Sequence, residues 1–296
     1  MTAQKKDALC FVQFLHPGGE HKPDVDNSKP WNRGTHKRKY LINDGAYVSN
    51  TQGLKYKAKL GFWGEWEPES YANRITDPLP YGPQYIHQPY YIAPESYQGL
   101  QNTDPFVFGE RFLYTICQQN RKTGSTQLRN LAKGSVVLFG SCLKEKFVLD
   151  TVFVIDHWVD HCKDNFRSVL NGYVSETYKK VTLLPMYCSG YNCRGCATLN
   201  KTASFRLYFG ATFDNPVHGM FSFFPTQLVD CYPKGFARPA ISISKIITDS
   251  LNQSMKLNSQ KDLGSIQGLW RKVVEIVTSA NLKLGVWTEL PQSRQH

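Results

Sequence analysis

The chain has 296 residues, enough for one large domain or two of ordinary size, and a hydrophobic fraction of 41% argues against wholesale disorder. Its formal charge of +11 speaks to partners and solubility rather than to fold. No apolar run approaches the roughly 20 residues that span a bilayer, which argues against a membrane anchor.

From the N-terminus, Ala8 to Leu15 reads as a buried strand that runs into the polar turn His16-Pro-Gly-Gly-Glu-His21. Gln13 interrupts this run and no small-residue cleavage pattern follows, so it does not read as a secretory leader. Between Lys29 and Lys59, eight cations (Lys29, Arg33, Lys37, Arg38, Lys39, Lys55, Lys57 and Lys59) face Asp44 alone. A polyanion is the natural partner for such a segment, and Trp31 and Tyr40 flank its densest part. A guarded edge strand is the competing explanation. Within Leu54 to Leu60, Lys55, Lys57 and Lys59 alternate with apolar residues, which predicts a strand with three ammonium groups on one face.

Asp77 to Pro105 is rich in Pro and Tyr and lacks sustained periodicity, so it predicts a structured loop packed over a site. Phe106 to Cys117 predicts a strand, and Gly134–Gly140 with Phe147–Ile155 predicts a hairpin. Trp158 to Leu170 carries apolar residues at helical spacing, with Asp156 and Asp160 as N-terminal caps. His157 and His161 then fall one helical turn apart, but no Glu follows His157 as a zinc-protease motif requires, and a structural role is expected. Further strands are predicted at Phe205–Phe209, Met220–Phe224 and Ala240–Ser244. Ser265–Ala280 is the clearest helix, with Ile266, Leu269, Trp270, Val273, Val274 and Val277 on one stripe. The expected fold is α+β: a curved, mainly antiparallel sheet or barrel with packed helices, in a single domain over 1–296.

Eight cysteines without framework spacing read as thiols in a reducing compartment, so the expected location is cytoplasmic. Cys188, Cys193 and Cys196, with Cys231 downstream, have a spacing that suits an iron–sulfur centre or structural zinc. A single Cys-x2-Cys knuckle is an incomplete set, and a glycine-rich loop of thiols without metal is expected. No cofactor is expected. Walker, dinucleotide-fingerprint and nucleophile-elbow motifs are absent, which removes most of the weight from NTPase, dehydrogenase and esterase readings.

The run Phe62-Trp63-Gly64-Glu65-Trp66-Glu67-Pro68-Glu69-Ser70 places two indoles and three carboxylates directly after the lysine strand. Excising a base needs a carboxylate to stabilise the sugar cation or activate water, and flat side chains to hold the flipped base. Glu65 is the preferred carboxylate, because Gly64 before it permits close approach, with Glu67 as the second choice. His16 is a candidate acid or orienting group and His21 a weaker one, while Glu20 and Asp150 are fallback carboxylates. Trp63, Trp66, Phe62 and Tyr85 are the candidate base contacts. Lys37, Arg38, Lys39, Lys55, Lys57 and Lys59 are the candidate phosphate contacts. The bland alternative is a surface turn with inward indoles and solvated carboxylates.

The hairpin Gly134–Ser141 and Phe147–Val154, introduced by Lys133-Gly134, resembles the core of PUA-like domains of the EVE and ASCH groups. Gly219-Met-Phe-Ser-Phe-Phe-Pro225 and Gly235-Phe-Ala-Arg-Pro239 also resemble an uncharacterised bacterial family suspected of acting on modified nucleotides. The likeness covers about a third of the chain. It implies a PUA-like barrel core over about 105–245, with a basic, aromatic-rich portion at 1–104, and a pocket for an extruded base. It supplies no catalytic residues. The resulting expectation is a DNA-binding enzyme acting on a modified or damaged base, a DNA glycosylase that would suit antiviral defence. A non-catalytic modified-base reader and a nuclease are the alternatives.

Overall fold

The computed structural model describes residues 6–16, 19–23, 37–92, 103–121, 124–188, 204–229, 233–249, 255–259 and 262–294. Its strands in chain order are β1 (Cys10–His16), β2 (Lys39–Val48), β3 (Tyr56–Gly64), β4 (Ser70–Arg74), β5 (Tyr85–Ile92), β6 (Leu113–Tyr114), β7 (Asn120–Arg121) and β8 (Gly124–Ser125). They continue with β9 (Val136–Leu143), β10 (Lys146–His161), β11 (Phe205–Gly210), β12 (Phe224–Leu228), β13 (Met255–Ser259), β14 (Lys283–Thr288) and β15 (Gln292–Arg294).

Strand is the dominant structure, in two main sheets. The first runs β13-β1-β9-β10-β11-β6, antiparallel except for the parallel β1–β9 pair. In the second, β14, β12, β3 and β2 pair in that order. β14 also pairs with β2, so these four antiparallel strands curl into a small closed barrel, with β5, β4 and β15 attached. Closure removes the open edges that a four-stranded sheet would otherwise expose.

Alternation along the strands builds two apolar clusters. In β1, Cys10, Val12 and Phe14 enter one cluster while Phe11 and Leu15 enter the other. β9 divides the same way, Val137 and Phe139 against Val136 and Leu138. Strands buried on both faces read as continuous apolar runs, which is why these were legible in the sequence. The helix Leu263–Ser279 covers the second cluster with Ile266, Trp270, Val273, Val274 and Val277 buried. Its N-cap Asp262 accepts from the Ser265 amide at 2.8 Å. No helix among the described residues is long and apolar enough to cross a membrane.

Several elements differ from expectation. The Pro/Tyr-rich segment contains β5, where Tyr85, His87, Pro89 and Tyr91 face inward by alternation. Pro89 is tolerated opposite Ser70, the first residue of the short flanking strand β4. Phe106–Cys117 is mostly turns: only Leu113–Tyr114 is strand, and Phe106 pairs back onto Leu113. Trp158–His161 continues β10 against β11, and helix is confined to Phe166–Val169. Asp156 and Asp160 are therefore strand residues rather than helix caps. Of Met220–Phe224 and Ala240–Ser244, Phe224 opens β12, and Met220, Phe223 and Ala240 make isolated bridges. Strands from both sides of residue 104 share both sheets, so portions 1–104 and 105–245 are interleaved.

The β9–β10 hairpin is bulged. Leu149 lies opposite Gly140 and Thr151 opposite Phe139, which leaves Asp150 as the extra residue. Gly140 makes this possible, since a Cβ there would stand 2.2 Å from the Val148 carbonyl oxygen. Gly140→Ala is therefore expected to destabilise by about 1–3 kcal/mol, with the backbone as the obstructing partner. Urea unfolding of the variant checks this, and an unchanged midpoint would refute it.

Candidate functional site

Five ionisable side chains distant in sequence meet where the two sheets approach. His16 ends β1, Arg38 precedes β2, Glu65 follows β3, Asp150 occupies the β10 bulge, and Arg238 lies in the segment after β12; all are buried. Arg38 is central. Its Nε donates to Asp150 Oδ2 at 2.8 Å, and its Nη1 lies 3.3 Å from Glu65 Oε2. Its Nη2 lies 2.6 Å from His16 Nδ1, and the same Nδ1 lies 3.0 Å from Glu65 Oε2. Arg238 Nη1 reaches Ser141 Oγ at 3.0 Å and Asp150 Oδ1 at 3.4 Å. Ser141 also donates to Asp150 Oδ2 at 3.3 Å. Burial opposes the charge on Arg38, but Glu65 and Asp150 outweigh it and leave the guanidinium more firmly protonated than usual.

The His16 contact constrains a proton. A guanidinium is a donor only, so the Arg38–Nδ1 bond requires a lone pair on that nitrogen. A bond from Nδ1 to an ionised Glu65 requires a hydrogen on the same nitrogen. Nδ1 offers one site, a hydrogen or a lone pair, so the two contacts compete for it. With the hydrogen on Nδ1 the imidazole donates to Glu65; with the lone pair there it accepts from Arg38. The tautomer of His16 thus selects which of the two contacts is made.

A second polar layer adjoins the first. Lys39 points to the opposite side of its strand, donating to the Pro68 carbonyl at 2.8 Å. Burial lowers its pKa to about 7, against the opposing pull of Glu67 and Glu69. Asp104 accepts from the amides of Thr115 at 2.9 Å, Ile116 at 2.7 Å and Cys117 at 2.7 Å. Burial pushes its carboxyl up to about 7 despite those donors, and the Glu65 charge adds to the rise. Burial also holds the Cys117 thiol well above its ordinary value, with Asp104 and Glu65 reinforcing the effect.

The structure thus brings together Glu65 and His16, with the fallback Asp150 one guanidinium away and Glu67 in the adjoining layer. The proposed base contacts fare differently. Trp66 is fully buried, donates to the Glu69 carbonyl at 2.7 Å and packs on Phe108, while Phe62 packs on Phe224. Trp63 is buried beneath Arg238, with its Nε1 on the Phe236 carbonyl at 2.8 Å. Tyr85 is buried, its amide donating to Glu20 Oε1 at 2.8 Å. These four are buried packing residues in this structure: the run 62–66 enters the core instead of leaving the sheet, and Tyr85 lies on the inward face of β5.

The basic segment also divides. Arg38 and Lys39 are buried and are not surface phosphate contacts; Lys37 is half-buried. Lys55, Lys57 and Lys59 are exposed, and Lys55 pairs with Asp214. Six residues of strand place Lys59 about 20 Å from Glu65 along the chain, too far to hold the phosphates beside it. Glu20 accepts from the Gln84 amide at 2.7 Å as well as from Tyr85, and burial raises its pKa. The His21 amide donates to the Arg38 carbonyl at 2.8 Å.

His157 and His161 lie on β10, where four residues span about 13 Å, so they do not form a shared metal site. His157 bonds Asp156 and stacks on Phe209, while His161 lies between Thr115 Oγ1 at 2.7 Å and Tyr187 OH at 2.8 Å. Cys193, Cys196, Cys231, Lys29, Trp31 and Arg33, and the side chain of Cys188, lie outside the described residues. Sequence reasoning assigned no site role to Arg238, Ser141 or Asp104. Asp150 did carry a signal, a lone carboxylate in the apolar run Phe147–Ile155.

Comparison of the chain with protein-family models, curated proteins and solved structures finds no match in any of the three.

Two buried imidazoles set an acid limit on stability. Burial lowers the His87 pKa to about 2, helped by the Lys39 charge and His21, and lowers that of His161 to about 3. The unfolded chain protonates them below about pH 6.5 while the folded chain does not. Their contribution is therefore complete above that pH and is lost as pH falls, by up to about 1.4 kcal/mol per pH unit for each. The raised Asp104 carboxyl works in the opposite sense over the same range, so the imidazole contribution is read by difference: between about pH 6.5 and about pH 5 the urea midpoint of His161→Gln should fall less steeply than that of the parent. An identical slope in the variant would refute the assignment.

Proposed function

We propose that the protein is a nucleic-acid-binding hydrolase that cleaves the N-glycosidic bond of a modified or damaged base, with Glu65 as the reacting carboxylate and His16 as its proton partner. The observation that carries this reading is the shared His16 Nδ1, within 3.0 Å of Glu65 and 2.6 Å of Arg38. It places a buried imidazole nitrogen within hydrogen-bond reach of the carboxylate, the geometry that proton transfer between them needs. In the reaction, the oxygen of a water bonds to C1′ as the bond from C1′ to the base breaks, its electron pair leaving on the base nitrogen. Glu65 stabilises the developing sugar cation and accepts the proton of the water. The departing base takes up one proton, so the overall reaction consumes one water. Arg38 fixes the positions of Glu65 and Asp150, and Arg238 holds Asp150.

A second reading, a modified-base reader without catalysis, draws on the charge balance of the same cluster. Two guanidiniums oppose two carboxylates, and such a self-compensated network can serve structure alone.

The two readings separate on incubation with DNA carrying modified bases, followed by alkali, which breaks the strand at abasic sites. Glu65→Gln preserves shape but cannot take the proton, and it should lower the single-turnover rate by about a hundredfold or more while binding persists. A folded Glu65→Gln protein that releases bases at the parental rate would overturn the assignment. Binding by the parent without strand breaks would leave the reader.

A further inference from the structure

The described surface next to the buried cluster carries a contact between two residues held in an uncommon backbone conformation. Tyr81 has φ +62° and is 63% exposed, and the Nζ of Lys144 stands 3.5 Å from its ring centre. Lys144 and Glu145, at φ +49° and +61°, form the two-residue turn between Leu143 and Lys146. Turns of this hand favour Asn-Gly or Asp-Gly, because both central residues adopt the left-handed region. The chain follows that preference elsewhere: between Val217 and Met220 the turn is His218-Gly219. At 144–145 and at 81 it gives up local comfort to present an ammonium group and a phenol ring.

Both elements connect directly to the site. The Lys144 turn joins the strand carrying Ser141 to the strand carrying Asp150. The Tyr81 loop rests on the segment leading to Arg238, where a Cβ added to Gly235 would stand 2.2 Å from Pro83 Cγ. Lys22 and Lys37 are on the neighbouring segments that pair through Glu20 and Arg38. Lys234 precedes Gly235 and pairs with Asp77 at 2.9 Å. The acids of this face are Asp77, Glu145, Asp249, which accepts from the Phe147 amide at 2.9 Å, and the half-buried Glu20, which is occupied by two backbone amides.

We infer that this rim, rather than the lysine row of β3, is where a nucleic-acid strand docks, with an unstacked base on the ring of Tyr81 and phosphates at Lys144 and its neighbouring lysines. This rests on the nucleic-acid reading of the site and names the surface that would deliver a base to it. An exposed ring backed by a cation is a sequence-tolerant stacking platform, and lysines beside it match the repeating charge of the strand.

The test uses the full chain and a short fluorescent single-stranded deoxyoligonucleotide, read by anisotropy across a salt series. Tyr81→Asn, and Lys144→Asn combined with Glu145→Gly, replace each residue by one that favours the local backbone, so Tm should hold or rise. Affinity should nevertheless fall about fivefold or more for Tyr81→Asn. For the double variant the log–log salt slope should become shallower by about 0.7. Lys57→Ala with Lys59→Ala should leave both quantities unchanged. Folded rim variants with parental affinity and slope, or losses confined to the Lys57/Lys59 variant, would overturn the inference while leaving the hydrolase reading intact. A parent protein that binds no oligonucleotide would also overturn the inference, while the hydrolase reading stands or falls on the alkali assay.

Discussion

One guanidinium joins the two sheets. Arg38 enters from the start of β2, meets Glu65 beyond the end of β3 in the same sheet, and crosses to Asp150 and His16 in the other. Taking these charges out of water is costly, and a well-packed apolar replacement of the whole cluster could be as stable. Removing Arg38 alone is a different matter, because it strands two carboxylates in the interior, at a cost of about 3–5 kcal/mol. The cluster therefore fixes relative position more than it adds net stability. Its sheet partners must sit where the guanidinium can reach them all. That requirement explains the Asp150 bulge, and the bulge in turn requires Gly140.

The elements that were legible in the sequence are those whose side-chain period has one reading. β1, β9, the Phe147–Ile155 part of β10 and β11 are predominantly apolar runs, and the helix Leu263–Ser279 has an unbroken stripe and an Asp cap. Trp158 to Leu170 misled because Val159, Cys162 and Phe166 suit a helix, while pairing with β11 decides in favour of strand through His161. β5 was hidden by its prolines, although Tyr85, His87, Pro89 and Tyr91 alternate inward. Tertiary pairing overrode local propensity in both places.

Within the site, Glu65 and His16 were identifiable because Glu65 directly follows Gly64 at the end of β3 and His16 ends β1 ahead of Pro17-Gly18-Gly19, places where side chains are both positioned and approachable. Their partners were not. Lys37-Arg38-Lys39 looks like a solvated basic run, and consecutive strand residues face opposite sides. Two adjacent cations can both be buried only where the strand is covered on both faces, a property of the assembled sheets that local composition does not record. Arg38 and Lys39 meet that condition, and each then acquires carboxylates on its own side. The indoles of Trp63 and Trp66 were misread for the same reason: flat aromatic groups serve a core as readily as a nucleobase.

The cluster also bears on how the chain selects one register. Its members stand at positions 16, 38, 65, 150 and 238, so every pair closes a loop, and loop-closure entropy prevents such a network from organising an unfolded chain. Apolar alternation in β1 and β9 can bring those strands together, but a strand apolar on both faces tolerates a shift of register poorly discriminated by hydrophobicity alone. His16 and Ser141 are opposite one another in the observed parallel register. A slip of one residue would turn His16 to the far face of β1 and strand its imidazole, with Glu65 and Arg38 left facing an apolar neighbour. The buried charges thus penalise the near-native alternatives that the apolar pattern permits, and the same rigidity holds the Glu65–His16 contact at proton-transfer distance.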